Sequence, residues 1–362
     1  MKKSTINNTK LKTLLIPKIT YFFTLILFMV LIQACTKTIL TQIGNGSTQI
    51  DSTLPQKELL SKGWSVLQTG NNFYGDIVFY DENTGYLMTQ DRLYKSKDGG
   101  LHWNYVPITF KEGYKNLNNQ DYLNICVLRN KVFICTQGRY GALPYLLVVK
   151  EDATLDSIKF SDGIADIRFI NQDTGYLVTS NSYYKSTDGG ETWSLGAQLV
   201  SGNVSNLANN FPGSMLEFNS ENHGWIGMKD SLFTISNNDS IQVVKMPTLA
   251  NDWYWFSIAA PSDSTLFLAT SNGLFRSLDG GKSISNTKFP FDFKGNIDLY
   301  FSDDNNGYLS SGNRIYKTVD GGNTWSIEVE LNSETYIVEI DFKNPNLGWA
   351  CCSNGQVLLL KR

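Results

Sequence analysis

The stretch Ser186-Thr187-Asp188-Gly189-Gly190-Glu191-Thr192-Trp193 decides the fold, because the chain repeats nearly the same eight residues three more times. We call this element the Asp-Gly-Gly motif, and its other copies begin at Ser96, Ser277 and Thr318. The aspartates of successive copies lie 90, 91 and 41 positions apart. A basic period of about 41 to 45 residues, skipped in places, is typical of the blades of a β-propeller.

A second pattern follows the same period. The glycine of a Gly-Tyr-Leu segment stands 13 positions before the aspartate of the motif at Gly85, Gly175 and Gly307, and Leu266 takes that position before Asp279. Weaker copies surround Gly224 and Gly348. Three of the glycines follow hydrophobic segments that begin with an aspartate: Asp76–Phe79, Asp166–Phe169 and Asp298–Phe301.

The second repeat unit is the least regular. Its pattern survives only as hydrophobic alternation, which we centre near Asn124. We interpret Cys135-Thr136-Gln137-Gly138 as the degenerate Asp-Gly-Gly motif of this unit. With it, the repeat centres number seven and fall at positions 85, 124, 175, 224, 266, 307 and 348.

The units predict an all-β fold. Each consists of short alternating segments separated by turn residues, which is typical of strands. We therefore predict a single seven-bladed β-propeller with four-stranded blades over residues 63–362. The last unit supplies only three strands, and Trp64–Thr69 looks like the strand that follows each motif. We expect this N-terminal strand to join the last blade and close the ring, which removes free edges.

The four motif aspartates are predicted to be structural. Glycine pairs tolerate the positive φ angles of a hairpin turn, and an aspartate can accept hydrogen bonds from the amides of its own turn. A repeated catalytic acid is the alternative, but copies at equivalent outer turns cannot converge on one substrate. The aspartates in question are Asp98, Asp188, Asp279 and Asp320.

The motifs and the Gly-Tyr-Leu strands resemble Asp-box (BNR-type) propellers. Among these, the chain is similar to the photosystem II assembly and stability factors and their non-photosynthetic bacterial lipoprotein relatives, over roughly residues 63–362. The resemblance implies a non-enzymatic assembly or binding module. Sialidases, xyloglucan hydrolases and sortilin-type receptors carry the same motif, so the motif does not specify function. One copy of the motif in this chain has Ile284 in place of tryptophan. No binding-site motif of the family can be matched to residues of this sequence.

The N-terminal segment predicts export. Residues 1–34 contain five lysines, no acidic residue and the apolar run Tyr21–Ile32, which favours a signal peptide. The segment ends before Cys35 and resembles a bacterial lipoprotein signal, in which that cysteine carries the lipid. Residues 35–62 are polar and predict a flexible tether. We expect a lipid-anchored protein at the outer membrane or cell surface, in membrane contact only through its lipid; an uncleaved anchor or ordinary secretion is the alternative.

The net charge of the chain limits the class of partner that it can bind. The chain has 31 basic and 34 acidic residues, and without the five signal lysines its net charge becomes −8, which argues against nucleic acid as a partner.

Cys126 and Cys135 flank a hairpin that we expect to turn at Asn130-Lys131, which would place them opposite each other as a disulfide or as two buried thiols. Adjacent Cys351 and Cys352 should point to opposite faces of a strand. The Cys and His spacing fits no zinc site, and we expect no metal or cofactor.

Catalytic motifs are scarce. His102 lies in a motif and His223 in a turn, and neither belongs to a nucleophile motif. Arg92 and Arg314 occupy equivalent repeat positions, unlike the arginine triad of a sialidase. Paired carboxylates would suit a glycoside hydrolase acting on extracellular glycans, with Asp76, Asp166 and Asp298 as candidates; the other interpretation is that they accept backbone hydrogen bonds between blades. We expect no enzyme activity, with the hydrolase as the alternative.

A ligand should bind where loops lead into the innermost strands. These loops carry aromatic residues, and the richest is Asn251–Phe256, in which Trp253 and Trp255 would share one face. That face could present a flat surface to a protein, or to a glycan, unless it packs in the core. We expect a monomer with a protein partner. The candidate binding residues are Trp253, Tyr254, Trp255, Tyr74, Phe211, Tyr336 and Arg139.

Overall fold

The computed structural model describes thirteen segments of the chain: 58–59, 61–68, 75–89, 92–108, 122–136, 144–199, 216–220, 223–228, 231–236, 239–244, 255–270, 272–292 and 297–362. Within them the chain forms 29 β-strands, and one short 3-10 turn, Ser61–Gly63, is the helical element. The strands form seven antiparallel sheets. The prediction of an all-β, seven-bladed propeller is therefore confirmed.

The strands follow one another blade by blade. Two strands, β1 (Glu58–Leu59) and β2 (Trp64–Gln68), come before the first blade. Blade 1 contains β3 (Ile77–Phe79), β4 (Gly85–Met88), β5 (Leu93–Ser96) and β6 (Asn104–Tyr105). Blade 2 contains β7 (Tyr122–Leu128), β8 (Lys131–Thr136), β9 (Tyr145–Val149) and β10 (Leu155–Lys159). Blade 3 contains β11 (Ile164–Phe169), β12 (Gly175–Thr179), β13 (Ser182–Ser186) and β14 (Ser194–Gln198).

The remaining blades repeat this order. Blade 4 contains β15 (Leu216–Ser220), β16 (His223–Met228), β17 (Ser231–Ser236) and β18 (Ile241–Val244). Blade 5 contains β19 (Trp255–Ala259), β20 (Leu266–Thr270), β21 (Gly273–Ser277) and β22 (Ser285–Thr287). Blade 6 contains β23 (Ile297–Phe301), β24 (Gly307–Ser311), β25 (Arg314–Thr318) and β26 (Ser326–Glu330). Blade 7 begins with β27 (Ile337–Asn344), β28 (Leu347–Cys352) and β29 (Gln356–Lys361).

The N-terminal strand completes blade 7, as predicted. Strand β2 pairs antiparallel with β29, and Trp64 lies opposite Leu360. Strand β1 then pairs with β2 through Glu58 and Val66, so blade 7 has five strands in the order β1-β2-β29-β28-β27. The sheet thus reaches into the segment that the sequence analysis assigned to the tether.

Blade 2 differs from the expected pattern. Residues near Asn124 form the innermost strand β7, and Val132 in the second strand occupies the position of Gly85 and Gly175. The interpretation of Cys135–Gly138 as a motif is therefore wrong, because motifs connect third and fourth strands and Cys135 lies in the second. The turn between the third and fourth strands of this blade closes instead with the Lys150 amide bonded to the Thr154 carbonyl.

The expected register of the blade 2 hairpin is also wrong. The turn falls on Arg129-Asn130 and not on Asn130-Lys131, with Arg129 at a φ of 55°. Cys126 consequently lies opposite Phe133, and Cys135 lies opposite Asn124. The two cysteines are diagonal neighbours, and both are free thiols, as are Cys351 and Cys352.

The hydrophobic core lies between the blades. Each of seven clusters joins residues of two adjacent blades; Tyr308 of blade 6, for example, packs with Trp64 and Phe342 of blade 7. Cys351 and Cys352 belong to different clusters, because successive residues of a strand face opposite sides. Since both faces of a blade are covered, second strands such as β12 and β24 are buried at every position.

A repeated lysine covers the tyrosine of each Gly-Tyr-Leu segment. The tyrosine pairs across the second and third strands with the lysine that precedes the Asp-Gly-Gly motif, and the ammonium group lies 5.1 to 5.5 Å from the ring centroid. This distance is in the range of a cation–π contact. The pairs are Tyr86 with Lys95, Tyr176 with Lys185, and Tyr308 with Lys317.

Candidate functional site

The antiparallel order of each blade gives the ring two different faces. Turns between the first and second strands, and between the third and fourth, lie at one end, and we call this the motif face because it carries the Asp-Gly-Gly motifs. The turns between second and third strands, and the connections from one blade to the next, lie at the other end, which we call the loop face.

The side chains of the motif are occupied within their own hairpin. In blade 3 the Ser186 hydroxyl donates to the Asp188 carboxylate at 2.8 Å and accepts from the Gly190 amide at 2.9 Å, and the Thr192 amide donates to Asp188 at 3.0 Å. The Thr192 hydroxyl also donates to Asp188, and these bonds lower the pKa of Asp188 to about 2. The same bonds recur around Asp98, Asp279 and Asp320.

A backbone bond explains the fixed distance between the repeated glycine and the motif. The first glycine of each motif donates its amide to a carbonyl in the turn before the second strand: Gly189 to Asp173 at 2.8 Å, and Gly321 to Asn305 at 2.9 Å. Gly99 and Gly280 do the same. The two turns of a blade at the motif face are therefore tied together.

His102 replaces a hydroxyl in the motif of blade 1. Its Nδ1 bonds to the Asp98 carboxylate, at the position where the other copies have Thr192, Ser283 or Thr324. The role of this histidine is thus to complete a turn. The other histidine, His223, packs edge-on against Trp225 with ring centroids 4.8 Å apart, and burial lowers the pKa of His223.

The innermost strands of all seven blades surround a central channel with a volume of about 260 Å³. In four of these strands, a phenylalanine lies opposite the glycine that begins the second strand, and it marks equivalent positions in the blades. These residues are Phe79, Phe169, Phe301 and Phe342. The position three residues before this phenylalanine, or before the aligned Val127 in blade 2 and Ala260 in blade 5, carries a polar group in every blade where the structure describes it. These groups, in blade order, are Asp76, Asn124, Asp166, Ser257, Asp298 and Glu339.

The channel carboxylates accept hydrogen bonds from the next blade. Asp76 accepts from the Ile125 amide at 2.7 Å, and Asp298 from the Ile340 amide at 3.0 Å. Asp166 accepts from the Leu216 amide at 2.9 Å, and Asn124 donates to Asp166 at 3.0 Å. Of the two interpretations of Asp76, Asp166 and Asp298, this geometry matches the one in which they join the blades.

The channel wall holds more acidic than basic groups. The described acids are Asp76, Asp166, Glu217, Asp298, Glu339 and Asp341, and Arg168 is the described base among the lining residues. Arg168 pairs with Glu217 across blades 3 and 4 at 2.8 Å. Burial, opposed by the Ile125 amide and reinforced by Asp298 and Asp341, raises the pKa of Asp76 to about 7.

Glu339 is the channel group that the sequence analysis missed. Burial, and then repulsion from Asp298 and Asp76, raise the pKa of Glu339 well above its usual range. Glu339 and Asp298 both line the channel. The signal was in the sequence, because Glu339 precedes Phe342 by three residues, as Asp298 precedes Phe301.

Most predicted binding residues lie outside the described part of the chain: Trp253, Tyr254, Tyr74, Phe211 and Arg139, together with the lipidation candidate Cys35. Trp255 begins strand β19, but its side chain is outside the description as well. Tyr336 lies in the connection from blade 6 to blade 7, on the loop face, and 47% of its surface is exposed. Its backbone amide donates a hydrogen bond to the Ser353 hydroxyl at 2.9 Å.

Two further features are absent from the same thirteen segments. They hold no group of three or more His, Cys, Asp or Glu side chains arranged to bind a metal ion, and no helix in them is long and apolar enough to span a membrane. Arg168 lies in the channel, Arg92 lies over the Tyr105 ring and Arg314 pairs with Glu330. These arginines are thus dispersed over separate parts of the ring.

Comparisons with known proteins support the fold. No family model matches the chain, and no curated protein matches its sequence. The structure is similar to YCF48 bound to D1 peptide, with a TM-score of 0.62 and 16% identity over 84% of this chain and 99% of that chain. It is also similar to a catalytically inactive virginiamycin B lyase from Staphylococcus aureus with quinupristin (TM-score 0.62, 13% identity, 83% and 99% covered).

A further similar structure is a xyloglucanase from Xanthomonas campestris, with a TM-score of 0.61 and 12% identity over 81% of this chain and 52% of that chain. The similar propellers thus include a protein that was solved with a bound peptide and two enzymes. At identities of 12 to 16%, these likenesses support the fold alone: this chain is a seven-bladed β-propeller.

Proposed function

We propose that the chain is a non-enzymatic binding module that recognises a protein partner through its loop face. The proposal rests on one observation. The described polar groups of the motifs and the channel are occupied by hydrogen bonds within the fold, whereas an aromatic side chain is exposed on the loop face. Motif aspartates are saturated by their own turns, and Asp76, Asp166 and Asp298 bind the backbone of neighbouring blades. Tyr336, in contrast, exposes 47% of its surface on the loop face.

The aromatic composition of the loops supports a protein as the partner. Tyrosine and tryptophan supply large contact areas at little cost in conformational entropy and are enriched at interfaces. In the sequence, the segment Asn251–Phe256 leads into strand β19, and Tyr74, Phe211 and Arg139 stand between strands that we expect to be joined on this side. Among similar propellers, YCF48 has been solved with a D1 peptide, which makes a polypeptide ligand a natural class to test first.

A glycoside hydrolase is the second candidate. The observation in its favour is that Asp298 and Glu339 line the same channel and have raised pKa values, because carboxyl groups with shifted pKa values are typical of acid–base pairs. However, Asp298 is held by the Ser257 hydroxyl at 2.9 Å and by the Ile340 amide at 3.0 Å, which are bonds between blades and not an arrangement around a substrate. Release of reducing sugar from xyloglucan or of sialic acid from sialosides, lost in Asp298→Asn, would favour the hydrolase over the binding module.

Alanine substitution at the two faces tests the proposal. Tyr336→Ala should weaken capture of the partner from native membrane extracts at least fivefold, because it removes an exposed aromatic contact. Val319→Ala is the matched control: Val319 lies on the motif face and is 63% exposed. We expect Val319→Ala to leave capture and melting temperature unchanged. Equal losses in both variants, or loss only in Val319→Ala, would contradict the assignment of the loop face.

We also propose that the module is anchored to the bacterial cell envelope through a lipid on Cys35. The support is the basic and then apolar segment that ends at Ala34. In a bacterial host, Cys35→Ala should move the protein from the membrane fraction to the soluble or secreted fraction, and it should abolish labelling by a radioactive fatty acid. Unchanged partitioning and labelling would refute the anchor. Cys126→Ala is the control and should alter neither result.

A further inference from the structure

The outer edges of the blades are protected in different ways. Each sheet has a fourth, outer strand, and within the described residues a further strand pairs with its outer side only in blade 7, where β1 covers β2. Open edges can pair with other chains, and proteins blunt them with short strands, charges, bulges or an added strand. An edge that has none of these features is a candidate site for a partner.

Five of the six uncovered edges carry such a feature. Strand β6 of blade 1 has two residues, and β22 of blade 5 has three, all of them polar. Strand β10 of blade 2 carries Asp156 and Lys159. Register shifts interrupt the pairing of the outer strands in blades 3 and 6, and Lys62 donates to the Ile327 carbonyl on the edge of blade 6 at 2.6 Å. These five edges are therefore blunted.

The edge of blade 4 has none of these features. Strand β18 (Ile241–Val244) has the sequence Ile-Gln-Val-Val, which carries no charge, and all four residues pair with β17 without a register shift. Residues with β-branched side chains favour strands, and Val243 exposes 68% of its surface. Within the described part of the chain, β18 is thus an uncharged, regular and uncovered outer strand.

The turn before β18 determines which of its main-chain groups face outward. The Ser236 amide donates to the Ser240 carbonyl at 3.1 Å, and along an antiparallel pair hydrogen-bonded positions alternate with non-hydrogen-bonded ones. Counted from this bond, Ile241 and Val243 occupy non-hydrogen-bonded positions opposite β17. Their amide and carbonyl groups therefore point away from β17, toward the open edge.

Blade 7 shows how such an edge is covered in this fold. Val243 lies opposite Phe233, and Val66 of β2 lies opposite Leu358 at the equivalent position of blade 7. The positions are equivalent because Phe233 and Leu358 each pair with the residue two places after the repeated glycine. Strand β1 pairs antiparallel with β2 there, with Glu58 opposite Val66. A fifth strand is thus an occupant that the outer strand of a blade accepts.

We propose that β18 binds an extended segment of a partner protein as a fifth, antiparallel strand of blade 4. Such a segment presents backbone donors and acceptors to the outward groups of Ile241 and Val243. Its side chains opposite these residues lie on the same face of the sheet, where apolar groups suit the exposed Val243. The surface lies on the rim of the ring, so it can be tested separately from the loop face.

A partner segment fits this edge better than a second copy of the chain. Two β18 strands would share only four residues each, whereas a stable protein–protein interface buries about 1,200 to 2,000 Å². The net charge of −8 that we expect after loss of the signal lysines also disfavours self-association. A flexible segment of another protein can pair with the strand without bringing two rigid rims together.

Hydrogen exchange of the full chain, resolved by residue with NMR, tests the proposal. The probe is a synthetic peptide, acetyl-Lys-Thr-Val-Thr-Val-Thr-Lys-amide, whose valines can lie opposite Ile241 and Val243. At about 1 mM peptide, exchange of these two amides should slow roughly tenfold, which corresponds to a dissociation constant of about 0.1 mM. The amide of Ser157, at the equivalent position on the charged edge of blade 2, should keep its rate. Unchanged exchange of Ile241 and Val243 would overturn the proposal.

N-methylated peptides determine whether the probe binds through its backbone. A valine opposite Val243 turns its own amide toward β18, and the neighbouring threonine turns its amide away. N-methylation of both valines should therefore abolish the slowing, whereas N-methylation of the threonines that precede them should leave it. Equal effects of the two methylation patterns would overturn strand addition.

Substitutions assign the effect to this edge. Val243→Pro removes an outward donor, which an edge strand tolerates, and it should weaken peptide binding at least tenfold, whereas the matched control Ser157→Pro should leave binding unchanged. Val243→Lys keeps the backbone amide but replaces the apolar contact by a charge, so it should weaken binding at least fivefold with an unchanged Tm. Wild-type affinity in Val243→Lys, or a homodimer in sedimentation velocity that this variant dissociates, would contradict the assignment of β18 to a partner segment.

Discussion

Deletion of residues 58–68 is expected to lower the Tm by more than 15 °C or to abolish cooperative unfolding altogether. The deletion removes β1 and β2, and with them Trp64, Val66 and Leu67, which are 0%, 3% and 1% exposed. A buried valine or leucine contributes about 1.5 to 3 kcal/mol and a tryptophan about 3 to 5 kcal/mol. Their sum approaches the whole net stability of roughly 5 to 15 kcal/mol typical of a protein.

The deletion also leaves β29 as an unpaired edge, on which Leu358 and Leu360 would lose their cover. An equally long deletion of residues 38–48, in the segment that we predict to be a tether, is the control and should leave the Tm unchanged. Differential scanning calorimetry measures both. A shift of less than about 3 °C for the deletion of residues 58–68 would mean that the ring does not depend on its N-terminal strand.

Gly190→Ala is expected to destabilise the fold by about 2 to 5 kcal/mol. Gly190 has a φ of +83°, a conformation that alanine adopts only with strain. A Cβ atom there would also lie 2.6 Å from the Phe133 ring of blade 2 and 2.9 Å from the Phe169 ring. Because Phe133 is fully buried, the ring cannot move without opening the contact between blades 2 and 3. Urea unfolding followed by tryptophan fluorescence measures the change.

Gly280→Ala separates the strain from the clash. Gly280 has a similar φ of +70°, but the nearest atom to its Cβ would be the Asp263 carbonyl oxygen at 3.5 Å. We expect a cost of only about 1 kcal/mol, from the backbone conformation alone. If the two variants lose the same free energy of unfolding, the second glycine of the motif is needed for its turn and not for the approach of the neighbouring blade.

The sequence predicted the blades correctly wherever aspartate and glycine residues marked a turn. The Asp-Gly-Gly motif places positive φ angles on glycine, as at Gly189 and Gly190, and the glycine 13 residues earlier is tied to it by a backbone bond. Together they locate the second strand and the third-to-fourth turn of a blade. The resemblance between the strand after Trp64 and those after Trp193 and Trp325 was enough to predict how the ring closes.

The register of blade 2 could not be obtained in the same way. Alternation with a period of two is unchanged when one strand slides by two residues, so it does not choose between placing Cys126 opposite Cys135 or opposite Phe133. The position of the turn would fix the register of the hairpin. However, the positive φ angle of this turn falls on Arg129, a residue type that is not typical of turns. Without that signal the disulfide candidate and the position of the degenerate motif were both misplaced.

Some of the groups that line the channel were singled out from the sequence. Asp76, Asp166 and Asp298 stood out because they repeat as the same residue type, whereas Glu339, Asn124 and Ser257 fill the equivalent position with other side chains. Counting back three residues from the phenylalanine of each innermost strand would have found Glu339. The interaction between Asp298 and Glu339 depends on how closely two blades approach each other, which is a property of packing that no local pattern contains.

Site-specific photo-crosslinking tests the central claim, that recognition belongs to the loop face, most directly. A photoreactive phenylalanine analogue is placed at Tyr336 on the loop face or at Val319 on the motif face, both exposed positions, and the cells are irradiated before lysis. We predict a discrete protein adduct from position 336, absent after deletion of residues 251–254, and none from position 319. An adduct from position 319 alone, or equal adducts from both positions, would contradict the account.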